Sequence, residues 1–234
     1  MVDDALRSRA RPVPVPGVPE VVLPTADDVM ALWLDTEASA GSPQPPPFWG
    51  FPWAGGQVLA RHVLDHPDLV AGARVVDVGC GSGLLAVAAA LAGAQAVLAL
   101  DVDPLAVAAA RWSADLNDVA VEVRRTDVLT EPGAVAGADV VLVGDLFYER
   151  ATAQALLPLL QEQAARGALV LVGDPGRAHL PAAAFVEVAR HDVPVVATLE
   201  ERDVRSTAVL RLRAGGGEAQ PSGSSSIGVA QVPR

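Results

Sequence analysis

The sequence predicts a doubly wound α/β fold: a mostly parallel sheet with helices on both faces and an antiparallel pair at its end. Three observations carry this. Short β-branched apolar runs alternate with longer alanine- and leucine-rich stretches between residues 74 and 174. A glycine turn, Gly79-x-Gly81-x-Gly83, joins the first run to the first stretch. Asp101, Asp127 and Asp145 each stand at or just past the end of a predicted strand.

Taken in order, residues 1–18 are proline-rich and mixed in charge, and are expected to be disordered. "EVVLP" (20–24) reads as a short strand. "TADDVMALWLDTEA" (25–38) reads as a helix capped by Thr25, with Asp27 and Asp28 in its first turn. "GSPQPPP" (41–47) is a stiff linker. "RVVDVG" (74–79) is a strand, "GLLAVAAALAG" (83–93) a helix and "AVLALD" (96–101) a buried strand. "PLAVAAARWSADLN" (104–117) is a helix with proline at its first position, where a missing N–H costs nothing. "VAVEVRR" (119–125) and "ADVVLVGD" (138–145) are strands, and "ATAQALLPLLQEQAARG" (151–167) is a helix interrupted at Pro158. "ALVLVGD" (168–174) is the fifth strand, and "FVEVARHDVP" and "TAVLRLR" form the antiparallel pair. Residues 214–234 are a low-complexity tail.

The 234 residues suffice for one domain, and a net charge of −11 argues against nucleic-acid binding. Cys80 is the single cysteine, and the four histidines lack metal-ligand spacing, so neither a disulfide framework nor a metal site is expected. All 17 basic residues are arginine, which excludes a P-loop and a Schiff-base mechanism. From Asp77 to Asp101 the chain is free of other charges. A membrane span is disfavoured there, because Gly79, Gly81, Gly83 and Gly93 divide the stretch into turn, helix and strand. The first residues are polar with no apolar run, so a cytoplasmic protein without a signal peptide is expected; a monomer is the expected state.

The glycines let a backbone turn tightly beside a ligand, and the following helix offers free N–H groups. Asp101, about 20 residues on, stands where a carboxylate grips ribose hydroxyls. Position 84 is Leu, so the dinucleotide spacing G-x-G-x-x-G fails. G-x-G-x-G after Asp77 is the S-adenosylmethionine pattern: that cofactor carries a sulfonium and no pyrophosphate, so nearby carboxylates attract it. Asp127 is assigned to the adenine amino group, with a plain turn residue as the alternative. In a doubly wound sheet ligands sit where the winding reverses, between the first and fourth strands. Asp145 at the end of the fourth is therefore the candidate to accept a hydrogen bond from an incoming amine, with a helix N-cap as its bland reading. Tyr148 would wall the acceptor channel.

Several motifs resemble those of the family 16 class I lysine methyltransferases, and within them the branch directed at the electron transfer flavoprotein β-subunit. They are "PPPFWGFPWAGGQVLARHVLDHP" (45–67), "VVDVGCGSGLLAVAAA", "LDVDPLA", "GDLFYER" (144–150) and "GDPGR" (173–177). The resemblance covers residues 20–213. It implies a seven-strand Rossmann-like methyltransferase domain over 19–213, S-adenosyl-L-methionine as methyl donor, and a lysine on that β-subunit as acceptor. It makes Asp145 and Tyr148 the catalytic pair, and Trp53, Asp77, Gly79, Gly81, Gly83, Asp101, Asp127 and Asp145 the cofactor set. Gly55 and Gly56 are expected to bring their segment close to the methionine end of the cofactor. Arg177 is expected to contact acidic parts of a substrate or to close a loop. Cys80 is read as packing. Ribosomal-protein and small-molecule acceptors stay open as alternatives. A dehydrogenase is disfavoured by the glycine spacing and the missing Tyr-x-x-x-Lys pair. A non-catalytic module is disfavoured by the presence of Asp145 and Tyr148.

Overall fold

A computed structural model describes residues 6–44, 46–194 and 204–213. The first element is a hairpin, β1 (Ala10–Val15) and β2 (Val18–Ala26), paired antiparallel. It stands where residues 10–18 were expected to be disordered, and the correction has a packing reason. Val15, Val18, Val21 and Leu23 are 0–1% exposed, against the helices of the main domain. Polar side chains pin the ribbon. Gly17 N–H donates to Gln57 Oε1 (3.0 Å), and Asn117 exchanges two hydrogen bonds with the backbone of Val22 (2.9 and 2.7 Å). A proline count reports on local chain stiffness and is blind to such partners.

Helix α1 (Val29–Ala40) starts later than its sequence suggested. Thr25 remains in β2 opposite Arg11, and Asp28 caps the helix by accepting from Ala31 N–H (3.0 Å). Helix α2 (Ala54–Asp65) follows, then β3 (Arg74–Val78), α3 (Leu84–Leu91), β4 (Ala96–Asp101) and α4 (Pro104–Leu116). Pro104 is at the first position of α4 and Asp103 caps it through Leu105 N–H (2.8 Å). Next come β5 (Glu122–Arg125), β6 (Val140–Gly144), α5 (Arg150–Ala165, with Pro158 inside), β7 (Leu169–Asp174), β8 (Phe185–Pro194) and β9 (Val204–Leu212). Among the described residues no helix is long and apolar enough to cross a membrane.

The seven strands lie in the order β5-β4-β3-β6-β7-β9-β8. The first five positions are parallel and the β7–β9 and β9–β8 pairs antiparallel, as the alternation of runs and helices predicted. Strand parity then sorts the core. Val75, Val140 and Leu142 point into the layer holding α2 and α3, and Val76, Val141 and Val143 into the layer holding α5. The chain reverses its winding at β3, with β4 on one side and β6 on the other, so the crevice opens at the carboxyl ends of β3 and β6.

Candidate active site

The glycine turn after β3 is built from left-handed backbone that glycine adopts at little cost. Gly79, Gly81 and Gly83 take φ of 64, 53 and 83°. Gly83 also lets α3 approach α4, since a Cβ there would lie 3.0 Å from the Cβ of Ala110. Asp101, at the end of β4, ties the turn in place: Oδ2 accepts from Gly81 N–H (2.9 Å) and Oδ1 from Asp103 N–H (2.9 Å). Burial, only partly offset by these donors, raises the Asp101 carboxyl above the usual carboxylate range. Asp127 closes a tight turn through Leu129 N–H (2.9 Å), so its plain turn role is present, and the residue also lines the cavity.

Asp77 lies behind the turn. Strand parity points it at α3, where Oδ2 accepts from Ala86 N–H (3.1 Å) and Oδ1 has no hydrogen-bond partner among the described residues. With the residue 1% exposed, burial pushes its carboxyl up to about 7. It borders a small recess beside Gly56 and Trp53, outside the main cavity.

The opposite wall comes from the ends of β6 and β7. Asp145 is 5% exposed and adopts φ 62°, a left-handed conformation that Asp and Asn enter more easily than other side chains. Its Oδ2 accepts from Gly55 N–H (3.0 Å), and its Oδ1 is ion-paired with Arg177 Nε. The cap of α5 is Glu149, so the N-cap reading of Asp145 does not hold. Gly55 has a packing role that its sequence did not show. A Cβ on Gly55 would meet Gly173 O at 2.3 Å, so this glycine lets α2 lie directly on β7. It thereby carries its own N–H to Asp145.

Trp53 donates its indole N–H to Phe48 O (2.8 Å), and its ring lies 4.1 Å from that of Phe51. Tyr148 is 44% exposed, with its ring 5.2 Å from that of Phe48. Phe147 is fully buried and packs against Phe185. Cys80 is buried, and burial pushes its thiol up, which keeps it inert.

Between these walls lies a cavity of about 510 Å³, the size of a small-molecule site. Trp53, Gly79, Gly81, Asp101, Asp127, Asp145 and Tyr148 all line it, whereas Asp77 and Gly83 do not reach it. Among the described residues the lining carries five carboxylates and one guanidinium, that of Arg177. A cationic sulfonium fits this donor set, and a pyrophosphate would be repelled. The open backbone at Gly81, where an added Cβ would meet nothing nearer than 4.0 Å, leaves room for the amino-acid end of such a ligand.

A sheet of this order, with a glycine turn after its first parallel strand and a carboxylate closing the next, defines a Rossmann-like methyltransferase. The family described as Ribosomal protein L11 methyltransferase (PrmA) matches residues 59–147. The chain is 37% identical over 198 residues to the electron transfer flavoprotein beta subunit lysine methyltransferase of Danio rerio, covering 82% of this chain and 76% of that protein. It is 41% identical over 136 residues to the protein of the same name in Xenopus laevis, covering 56% and 54%. The chain belongs to the electron transfer flavoprotein beta subunit lysine methyltransferase family. It is an S-adenosylmethionine-dependent enzyme of the protein-lysine methyltransferase class. Among solved structures, the protein in "Conversion of a Disulfide Bond into a Thioacetal Group during Echinomycin Biosynthesis" shares the fold. Its TM-score is 0.53 at 19% identity, over 81% of this chain and 94% of that one.

The sequence reading did not anticipate the Gly55 N–H or the Arg177 pairing with Asp145. Both residues lay in quoted motifs, "PWAGG" and "GDPGR", yet no local pattern pairs residues 90 and 32 positions apart.

Proposed function

We propose that this enzyme methylates a lysine amine on the electron transfer flavoprotein β-subunit, with S-adenosyl-L-methionine held in the crevice between β3 and β6. The observation that carries the reading is the buried Asp145 carboxylate at the lip of an acidic cavity, in a chain whose relatives bear that name. Bound there, the cofactor supplies an electrophilic methyl group on a sulfonium. Asp101 holds the ribose hydroxyls with lone pairs left over from its two backbone donors. Asp127 accepts from the adenine amino group, and the backbone of Gly79 and Gly81 lets the ligand lie against the sheet end. Gly83 and Asp77 act at one remove, by seating α3 and the turn. Trp53 covers the methionine end.

Asp145 orients the acceptor nitrogen. Its fixed carboxylate, locked by Gly55 N–H, offers an acceptor at a defined point. Tyr148 and Phe48 present aromatic faces at the mouth, favourable to the stem and to a methylated ammonium. Burial and the neighbouring carboxylates raise the Tyr148 phenol, so it stays protonated and does not serve as a base near neutrality.

The decisive experiment incubates the purified chain and labelled cofactor with electron transfer flavoprotein. Label on the β-subunit supports the proposal, and label confined to small molecules overturns it. A ribosomal acceptor is the second reading, because the ribosomal protein L11 methyltransferase family matches residues 59–147. A parallel reaction on ribosomes, labelled when the flavoprotein is not, would favour it.

A further inference from the structure

We infer that Arg177 is a positioning residue for the methyl acceptor: paired with Asp145, its guanidinium offsets the carboxylate's charge, so the target lysine is received as a neutral amine. The inference deepens the proposed function and rests on Asp145 meeting the acceptor.

The problem it solves is electrostatic. An ammonium has no lone pair to attack a methyl carbon, yet a buried carboxylate standing alone would hold a lysine in its charged form. Asp145 is not alone. Arg177 Nε is ion-paired with Oδ1, with the two side chains 19% and 4% exposed, so water screens the pair little. The pair is locally neutral and still leaves lone pairs for a hydrogen bond from N–H. A second cation beside Arg177 is disfavoured, so the lysine sheds its proton to water on entry, and its nitrogen lone pair becomes free.

Arginine suits this place. A guanidinium stays protonated, and its delocalised lone pairs make it a poor methyl acceptor beside the donor. The chain contains no lysine that could compete.

The guanidinium is also fixed. The backbone N–H groups of Gly176 and Arg177 both donate to Asp174 Oδ1 (2.7 and 2.7 Å), and Asp174 is 1% exposed. The Arg177 Cζ lies 5.5 Å from the centroid of the Trp53 ring, a cation–π distance. Loop, charge and face each have a partner. Other ionisable groups border the same space. Asp101 and Asp103 come from the end of β4, Asp127 from beyond β5, and Tyr148 and Glu149 from the start of α5; Asp174, at the end of β7, is not part of the lining but acts on Asp145 and Arg177 through its charge. From α2 come the Gly55 N–H and, at its cap, the Trp53 indole. Against these carboxylates Arg177 is the one cation lining the cavity among the described residues.

The test is a single-turnover pH–rate profile on the full chain, with electron transfer flavoprotein as acceptor and labelled cofactor. In R177Q the acidic limb should move upward by about one pH unit, the loss being largest at low pH and shrinking as pH rises. Cofactor affinity by calorimetry should stay at the wild-type value. R177K should restore the limb. A loss in R177Q that is the same at every pH, or a limb that does not move, overturns the inference. D145N separates this from the reading beneath it. A D145N enzyme as fast as wild type removes Asp145 from the acceptor site and the inference with it, as does a wild-type enzyme that labels no protein. An impaired D145N with an unmoved R177Q limb overturns the Arg177 role alone.

Discussion

The two walls of the crevice are built differently. The donor wall, the turn at residues 79–83 and Asp101, is held chiefly by backbone conformation and by hydrogen bonds spanning 2 to 31 positions, the longest from the Ser113 hydroxyl to Ser82 O. The acceptor wall, Asp145 with Gly55 and Arg177, is assembled from three elements 32 to 90 positions apart. A wall made of local backbone tolerates loss of one side chain. A wall made of distant partners fails when the elements beneath it shift.

That difference is open to attack, and the strongest blow falls on the scaffold. A Cβ on Gly173 would lie 1.9 Å from Gly55 O, backbone against backbone with nothing to rotate away. G173A should lower stability by about 3 kcal/mol or more, measured by urea denaturation. A loss within about 0.5 kcal/mol, the scatter of surface substitutions, would mean that α2 slides freely over β7.

Next in size is D145N, which keeps the shape and tolerates the left-handed φ of 62°. Transfer should slow about 100-fold while cofactor affinity holds, because only the acceptor wall is touched. Calorimetry showing that the cofactor no longer binds would place this carboxylate on the donor side.

On that donor side, D101A should weaken cofactor binding by roughly 1.5–3 kcal/mol, the range for hydrogen bonds to a charged group. Unchanged affinity would remove Asp101 from the ribose site and leave it as the staple of the turn.

A further contrast concerns pH. Asp77 has a folded pKa of about 7, raised by burial above its unfolded value near 4. Its contribution to stability is full below about pH 4 and is lost as pH rises through about 7, since folding then has to keep or bury that charge. D77N should flatten the fall in stability across this window. Asp101, Asp103 and Asp174, raised in the same direction by burial, leave part of the slope in place. An identical slope in D77N would show that Asp77 titrates as an ordinary carboxylate.

Legibility follows the same division. The run from Arg74 to Asp174 announces its strands and helices because each is a local pattern of branched, small and punctuating residues. The strands of the predicted pairs appear within three residues of their expected starts. Gly79, Gly81, Asp101 and Asp127 were readable because strand, turn and carboxylate follow one another along the chain. The hairpin at residues 10–26 was half missed, since its strands are made by burial against α2 and α4 and not by their own composition. The packing of Gly55 on Gly173 went unread for a related reason. Two adjacent glycines announce a close approach but not what approaches.

The sequence by itself determined the winding, the glycine turn and the acidic character of the crevice, because period, spacing and charge are properties of neighbouring residues. Only the tertiary structure decided that Asp77 faces α3, that Gly55 delivers its N–H to Asp145, and that a guanidinium from beyond β7 lies against that carboxylate. Those outcomes depend on strand parity and on how closely a helix can settle on a sheet, and close packing couples residues that the chain keeps far apart.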